Sequence, residues 1–201
     1  KYISQSAIKA IYSSVTEETE LFKGEMELIV VFFSDIRGFT SYSESLDPQE
    51  VVVKINQLFD LQADSITDRH GVIDKFVGDE IMATFPPSHA EEAVLAAIEV
   101  ISTIHNDSSI DLEVGIGIHY GEAVVGSIGT DDRRDYTAIG NTVNTASRLC
   151  SAASARELII GQDLYEQLSP ELNKQFTQQE PLALKGKQEK LTTYSLKLES
   201  S

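Results

Sequence analysis

The chain has 201 residues, enough for one domain with its own core, and 32 acidic against 16 basic side chains give it a formal charge of −16. A field of that sign repels nucleic-acid backbones and anionic membrane surfaces, and a polyphosphate would be handled only together with cations. The single cysteine, Cys150, excludes an internal disulfide and suits a reducing cytoplasm, and no apolar run approaches the roughly 20 residues of a membrane span.

Residues 1–23 place Ile3, Ile8, Ile11, Tyr12 and Val15 at helical spacing, which reads as a connector helix ahead of a domain over 24–201. Glu27 to Phe33 is β-branched and aromatic, a buried central strand, and Ser34-Asp-Ile-Arg-Gly-Phe-Thr40 ends it with a glycine turn. Asp47-Pro48 caps a long amphipathic helix carrying Val51, Ile55, Leu58, Phe59, Gln62 and Ile66 up to the stop at His70-Gly71. Val72 to Val77 and Ile81 to Phe85 form a hairpin around Gly78-Asp79. Pro86-Pro87-Ser88 precedes an alanine-rich helix from Ala90 to about His105.

Leu112 to His119 and Glu122 to Ile128 read as a second hairpin turning at Tyr120-Gly121. Asn141 to Cys150 is a helix, Glu157 to Ile160 a strand and Gln162 to Leu168 a short helix, and Gln175 to Leu184 with Leu191 to Leu196 is a closing hairpin. The beginning at Lys1 and the polar end at Leu198-Glu-Ser-Ser201 read as a piece of a longer, multidomain protein. Strands and helices in this order predict an α+β sandwich, a mixed or antiparallel sheet with helices packed on one face.

Asp35 lies just past the apolar strand and Asp79 lies in the hairpin turn. If the strands are adjacent, both carboxylates converge at one sheet edge, the arrangement that hard Mg²⁺ or Mn²⁺ requires. Each also fits a turn cap, a common use of aspartate. The glycine-relaxed loop Ile36 to Thr40 can aim backbone N–H groups at phosphate oxygens, and it equally fits an ordinary strand-to-helix turn. Asn144 and Arg148 share a helix face, where an amide could hold a sugar oxygen and a guanidinium could stabilise phosphoryl charge; a solvated arginine on a capped helix fits too. His70, His89, His105 and His119 have no metal-ligand spacing.

Taken together, Phe33-Ser-Asp-Ile-Arg-Gly-Phe-Thr40, Lys75-Phe-Val-Gly-Asp-Glu80, Gly115-Ile-Gly-Ile-His-Tyr-Gly121, Tyr136-Thr-Ala-Ile-Gly-Asn-Thr-Val-Asn-Thr-Ala-Ser-Arg148 and Leu184-Lys-Gly-Lys187 resemble the class III adenylyl/guanylyl cyclase catalytic domain, in order, across Glu27 to Leu196. The resemblance implies a ferredoxin-like sandwich acting as a head-to-tail homodimer with two divalent cations, Mg²⁺ or Mn²⁺, per site. It assigns Asp35 and Asp79, with Ile36, to the metals, and the backbone through Gly38, Phe39 and Thr40 to the triphosphate. Lys75 and Thr137 would meet adenine, Asn144 the ribose and Arg148 the transition state, all from the other protomer. Lys187, or else Lys185, would reach the triphosphate.

Members that use GTP carry Glu and Cys where this chain has Lys75 and Thr137, so ATP is the implied substrate. Thr137 is similar to the subgroup of soluble, bicarbonate-responsive adenylyl cyclases of cyanobacterial type, which implies bicarbonate as an activator. A catalytically silent, dimerising homologue is the competing reading, but such modules usually lose a metal aspartate or the arginine, and Asp35, Asp79, Asn144 and Arg148 are all present. A diguanylate cyclase or polymerase palm would require a doubled glycine where the hairpin reads Val77-Gly-Asp-Glu80. The resemblance implies a cytoplasmic enzyme in signal transduction, with no nucleic-acid partner and no membrane contact by the domain itself.

Overall fold

The computed structural model describes residues 24–130, 133–183 and 190–198, so the 1–23 connector lies outside the described residues. Its first strand, β1 (Glu25–Arg37), is longer than the apolar run suggested and organises both faces of the sheet. Val30, Phe32 and Ile36 point into one apolar cluster, and Ile29, Val31 and Phe33 into another. This is the period-2 alternation of a strand covered on both sides.

After β1 come the short helix α1 (Phe39–Glu44), α2 (Pro48–Asp68), β2 (Val72–Val77), β3 (Glu80–Phe85) and α3 (Ala90–Asn106). Next are β4 (Glu113–Gly129), β5 (Arg134–Ile139), α4 (Asn141–Ala152) and β6 (Glu157–Gly161). The short elements α5 (Gln162–Tyr165), α6 (Pro170–Asn173), β7 (Thr177–Gln178), β8 (Leu182–Ala183) and β9 (Lys190–Leu191) lead to β10 (Thr193–Lys197). The main sheet runs β2-β3-β1-β4-β6-β10-β7, with β5 added on β4, and only the β4–β6 pair is parallel. The β2-β3-β1-β4 order is ferredoxin-like, and the mixed α+β class read from the sequence holds.

Helix α2 begins as its sequence dictates: the Asp47 carboxylate accepts from Gln49 N at 2.9 Å and Pro48 fills the first turn. It ends where His70 takes a left-handed φ of 68°, with His70 N on Thr67 O and Gly71 N on Ile66 O. Its buried Gln62 is no exception to the apolar stripe, because Ser34 Oγ donates to its side-chain oxygen and its amide donates to Leu58 O. Together with α3 it buries the β1 face that carries Phe32. Among the described residues no helix is long and apolar enough to cross a membrane.

Three expectations need correction. No turn occurs at Tyr120-Gly121: β4 runs straight through, and its Glu113 to Val125 pair continuously with β1 from Arg37 back to Glu25. Nor do the helices share one face. α4 packs opposite α2 and α3, with Ala146 and Cys150 in the cluster of Val31 and Phe33. The closing hairpin, finally, is divided. β10 pairs with β6 and β7, while Leu182–Ala183 and Lys190–Leu191 form a separate two-stranded ribbon.

The cause of the first two corrections is the same. Gly115, Gly117 and Gly121 lie along β4 on the face opposite Val114, Ile116 and Ile118, a face they share with His119, and Gly117 and Gly121 leave room there for the backbone of α4 and its Thr142 side chain. A Cβ on Gly117 would stand 2.0 Å from Cys150 N and 2.6 Å from Ala146 O, both helix backbone atoms that cannot step aside. Gly117→Ala is expected to destabilise the domain by about 3 kcal/mol in urea unfolding. Gly38→Ala, which meets nothing within 4 Å and bears only the strain of φ +75°, should cost about 1 kcal/mol.

Candidate active site

Asp35 and Arg37 are the last α4-facing residues of β1, in register with Glu80 of β3 and with Gly115 and Glu113 of β4. The β2–β3 hairpin turns through Gly78, at φ 61°, and Asp79, and this brings the Asp79 carboxyl close enough to Asp35 for its charge to act on it. The Arg37 guanidinium pairs with Asp35, donates to the Cys150 carbonyl of α4, and fills the space a Gly115 side chain would occupy. The two aspartates singled out in the sequence therefore do meet.

Burial pushes the Asp35 carboxyl up, the Arg37 charge draws it down, and the Asp79 charge pushes it up again. Glu80 is likewise raised, first by burial and then by Asp35 and Asp79. Crowded, half-buried carboxylates with only one guanidinium among them are a donor set that a hard dication would relieve. Among the described residues no group of three or more His, Cys, Asp or Glu is arranged to hold a metal ion. A cation here would thus rest on the aspartate pair, backbone oxygen, water and substrate. Cys150 takes no part in such chemistry: burial pushes its thiol up to about 12, and its sulfur donates to Gly115 O at 3.3 Å.

Gly38 adopts a left-handed conformation and α1 starts at once, its first turn closing with Tyr42 N on Gly38 O. The N–H groups of Phe39 and Thr40 precede that bond, so they are available to an external acceptor.

A second locus lies where the β4–β5 ribbon folds over the α4 face toward β2. Thr137 of β5 donates from Oγ1 to Asp74 of β2, at 2.8 Å from Oδ2 and 3.0 Å from Oδ1. Lys75 Nζ lies 3.3 Å from Asp74 Oδ1. Lys75 and Thr137, distant in sequence, are thus joined through one carboxylate. Asp74 was missed by sequence reasoning. Its signal was a charged residue inside an apolar strand, but the register shift between Ile73 and Lys75 that turns it inward is visible only in the strand pairing.

Asn144 and Arg148 occupy the outward face of α4, whose buried residues are Thr142, Thr145, Ala146, Leu149 and Cys150. Asn144 is exposed and Arg148 half-buried, and among the described residues neither side chain has a hydrogen bond or ion pair. Lys185 and Lys187 lie outside the described residues. The histidines sit in local contacts, such as His105 Nδ1 to Glu113 Oε1 at 2.9 Å and the His70–His89 ring pair at 4.6 Å.

Large apolar side chains remain exposed at Met26, Leu28, Phe76, Val77, Tyr136 and Ile139, on β1, β2 and β5.

A family model described as the adenylate and guanylate cyclase catalytic domain matches residues 22–198. The adenylate cyclase of Anabaena cylindrica is 30% identical over 211 residues, covering 98% of this chain and 42% of the relative. The adenylyl cyclase CyaB from P. aeruginosa has a similar structure, with a TM-score of 0.78 and 30% identity over 90% of this chain and 98% of that one. The guanylyl cyclase Cya2 is as similar, at 0.78 and 31% over 87% and 93%. The chain spans less than half the length of the curated relatives it matches. With the paired aspartates in place on a ferredoxin-like sheet, these matches show that the chain belongs to the adenylate and guanylate cyclase catalytic-domain family.

Proposed function

We propose that this domain is an adenylyl cyclase that converts ATP to cyclic AMP and pyrophosphate. The observation that carries the reading is the approach of Asp35, near the end of β1, and Asp79, in the β2–β3 turn, at one half-buried edge. Asp35 and Asp79, with the backbone of Ile36, would hold two divalent cations, Mg²⁺ or Mn²⁺. When bound, these supply the positive charge that acidifies the ribose 3′-hydroxyl and steadies departing pyrophosphate.

The 3′-hydroxyl gives up its proton, its oxygen bonds to the α-phosphorus, and the bond from that phosphorus to pyrophosphate breaks in line. The backbone N–H groups of Gly38, Phe39 and Thr40 cradle the triphosphate, with Lys187 or Lys185 beside it. Lys75 donates to the adenine ring nitrogen and Thr137 accepts from the adenine amine. Asn144 holds the ribose, and Arg148 meets the charge that grows on the phosphoryl oxygens.

These groups belong to two halves that a second copy completes. The unpartnered, outward-facing Asn144 and Arg148 and the exposed Phe76, Val77, Tyr136 and Ile139 support a head-to-tail homodimer. The resemblance to the bicarbonate-responsive subgroup supports bicarbonate as an activator. A cytoplasmic setting follows from ATP as substrate, and a longer multidomain protein in signal transduction from the greater length of the relatives. The equal similarity to Cya2 favours GTP as the second reading.

Incubating the protein with ATP or GTP and Mg²⁺ or Mn²⁺ should yield cyclic AMP, with GTP turned over poorly; no product from ATP with either metal overturns the proposal. Arg148→Ala should lower kcat on the order of a hundredfold with little change in KM. Asp35→Ala should abolish metal-dependent turnover. Mixing the Asp35→Ala and Arg148→Ala proteins should restore activity by assembling one intact site, and failure to recover any argues against the shared interface. Turnover in sodium bicarbonate should exceed that in matched sodium chloride.

A further inference from the structure

We propose that Asp74 is the positioning residue for base selection: by taking the proton of the Thr137 hydroxyl, it leaves Thr137 as a hydrogen-bond acceptor beside the donor Lys75. The inference rests on the reading above, in which Lys75 and Thr137 meet the base.

A threonine hydroxyl is ambivalent, with one proton to give and two lone pairs to receive, so alone it can greet an amine or a carbonyl equally well. Its surroundings remove the ambivalence here. The Asp74 side chain is 6% exposed and, as a carboxylate, only accepts. Thr137 Oγ1 lies within 2.8 Å and 3.0 Å of its two oxygens, whereas the competing acceptor, Ala138 O, is 3.4 Å away. Ala138 N donates to the same carboxylate at 3.3 Å, and Lys75 Nζ stands 3.3 Å from Oδ1, so Asp74 has positive or donor groups around it and nothing to give. The bulge between Ile73 and Lys75 is what aims Asp74 toward β5.

The consequence is a fixed polarity. Lys75, 38% exposed, offers a donor, and the lone pairs of Thr137 offer an acceptor. Adenine presents the complement, an acceptor at N1 beside a donor amine at C6. Guanine presents the reverse, an N1–H donor beside the O6 acceptor, so both contacts become mismatched. The chemical class selected is a 6-aminopurine nucleoside triphosphate, and the selection is enforced by a residue that itself need not touch the base.

The experiment compares kcat/KM for ATP and GTP, and equilibrium binding of both nucleotides, in the wild type, Asp74→Asn, Asp74→Glu, Thr137→Val and the Asp74→Asn/Thr137→Val double variant. An asparagine amide can donate to Thr137 and release its hydroxyl proton outward. Asp74→Asn should therefore lower the ATP-to-GTP ratio about tenfold or more. Asp74→Glu, which still accepts, should keep the ratio even if both KM values rise. In the Thr137→Val background Asp74→Asn should change the ratio no further.

Equal losses for ATP and GTP in Asp74→Asn, with the ratio intact, would show a purely structural residue and overturn the inference alone. An unchanged ratio in Thr137→Val would remove the base contact, and with it both this inference and that part of the proposed function. If Asp74→Asn does not fold, Asp74→Ala, which also frees the hydroxyl, should lower the ratio, and an intact ratio there overturns the inference.

Discussion

The closeness of α4 to β4 is the constraint on which the remaining architecture depends. A helix backbone can lie this near a strand only where the strand presents no side chain, and Gly117 provides that opening against Ala146 and Cys150, with Gly121 making room for Thr142. With α4 seated, its Cys150 carbonyl receives Arg37, Arg37 reaches Asp35, and Asn144 and Arg148 are turned outward on a rigid support. Apolar packing of Ala146 and Cys150 against Val31 and Phe33 supplies the adhesion, and the glycines supply the geometry.

Electrostatics then acts within that frame. Asp35 sits at an edge where burial and the neighbouring Asp79 charge both oppose its ionisation, and the Arg37 guanidinium compensates in part. The Asp74 locus is the opposite case: a well-shielded carboxylate ringed by donors on every oxygen the structure describes. One cluster is left short of positive charge and the other is satisfied, which supports the roles proposed for them, recruiting cations at the first and reading a neutral base at the second.

Much of this was legible before any coordinates. Asp35 and Asp79 announce themselves because an acidic residue directly after an apolar run, and another after glycine in a hairpin, have few places to go. Gly121 misled because glycine is both a turn former and a spacer between layers, and sequence alone favours the local explanation over the distant helix that needs the room. β5 escaped notice because its residues are mostly exposed and carry no clean alternation. Asp74 escaped because a bulge is a property of two strands in register, not of one. The outward face of α4 was readable from the spacing of Asn144 and Arg148, but the side of the sheet it occupies was not.

The uninterrupted run of β4 has an implication for how this domain can evolve. Odd positions from Gly115 to Gly121, three glycines and His119, face the α4 side of the sheet, and even positions from Val114 to Ile118 lie in the other core, so every residue's address is a parity. Substitutions alter one address at a time. Loss or gain of a single residue within the strand would exchange the two sets, driving isoleucines against the helix backbone and leaving glycines to face the core. Drift in this lineage should therefore accumulate length changes in its connecting loops while the length of β4 itself stays fixed.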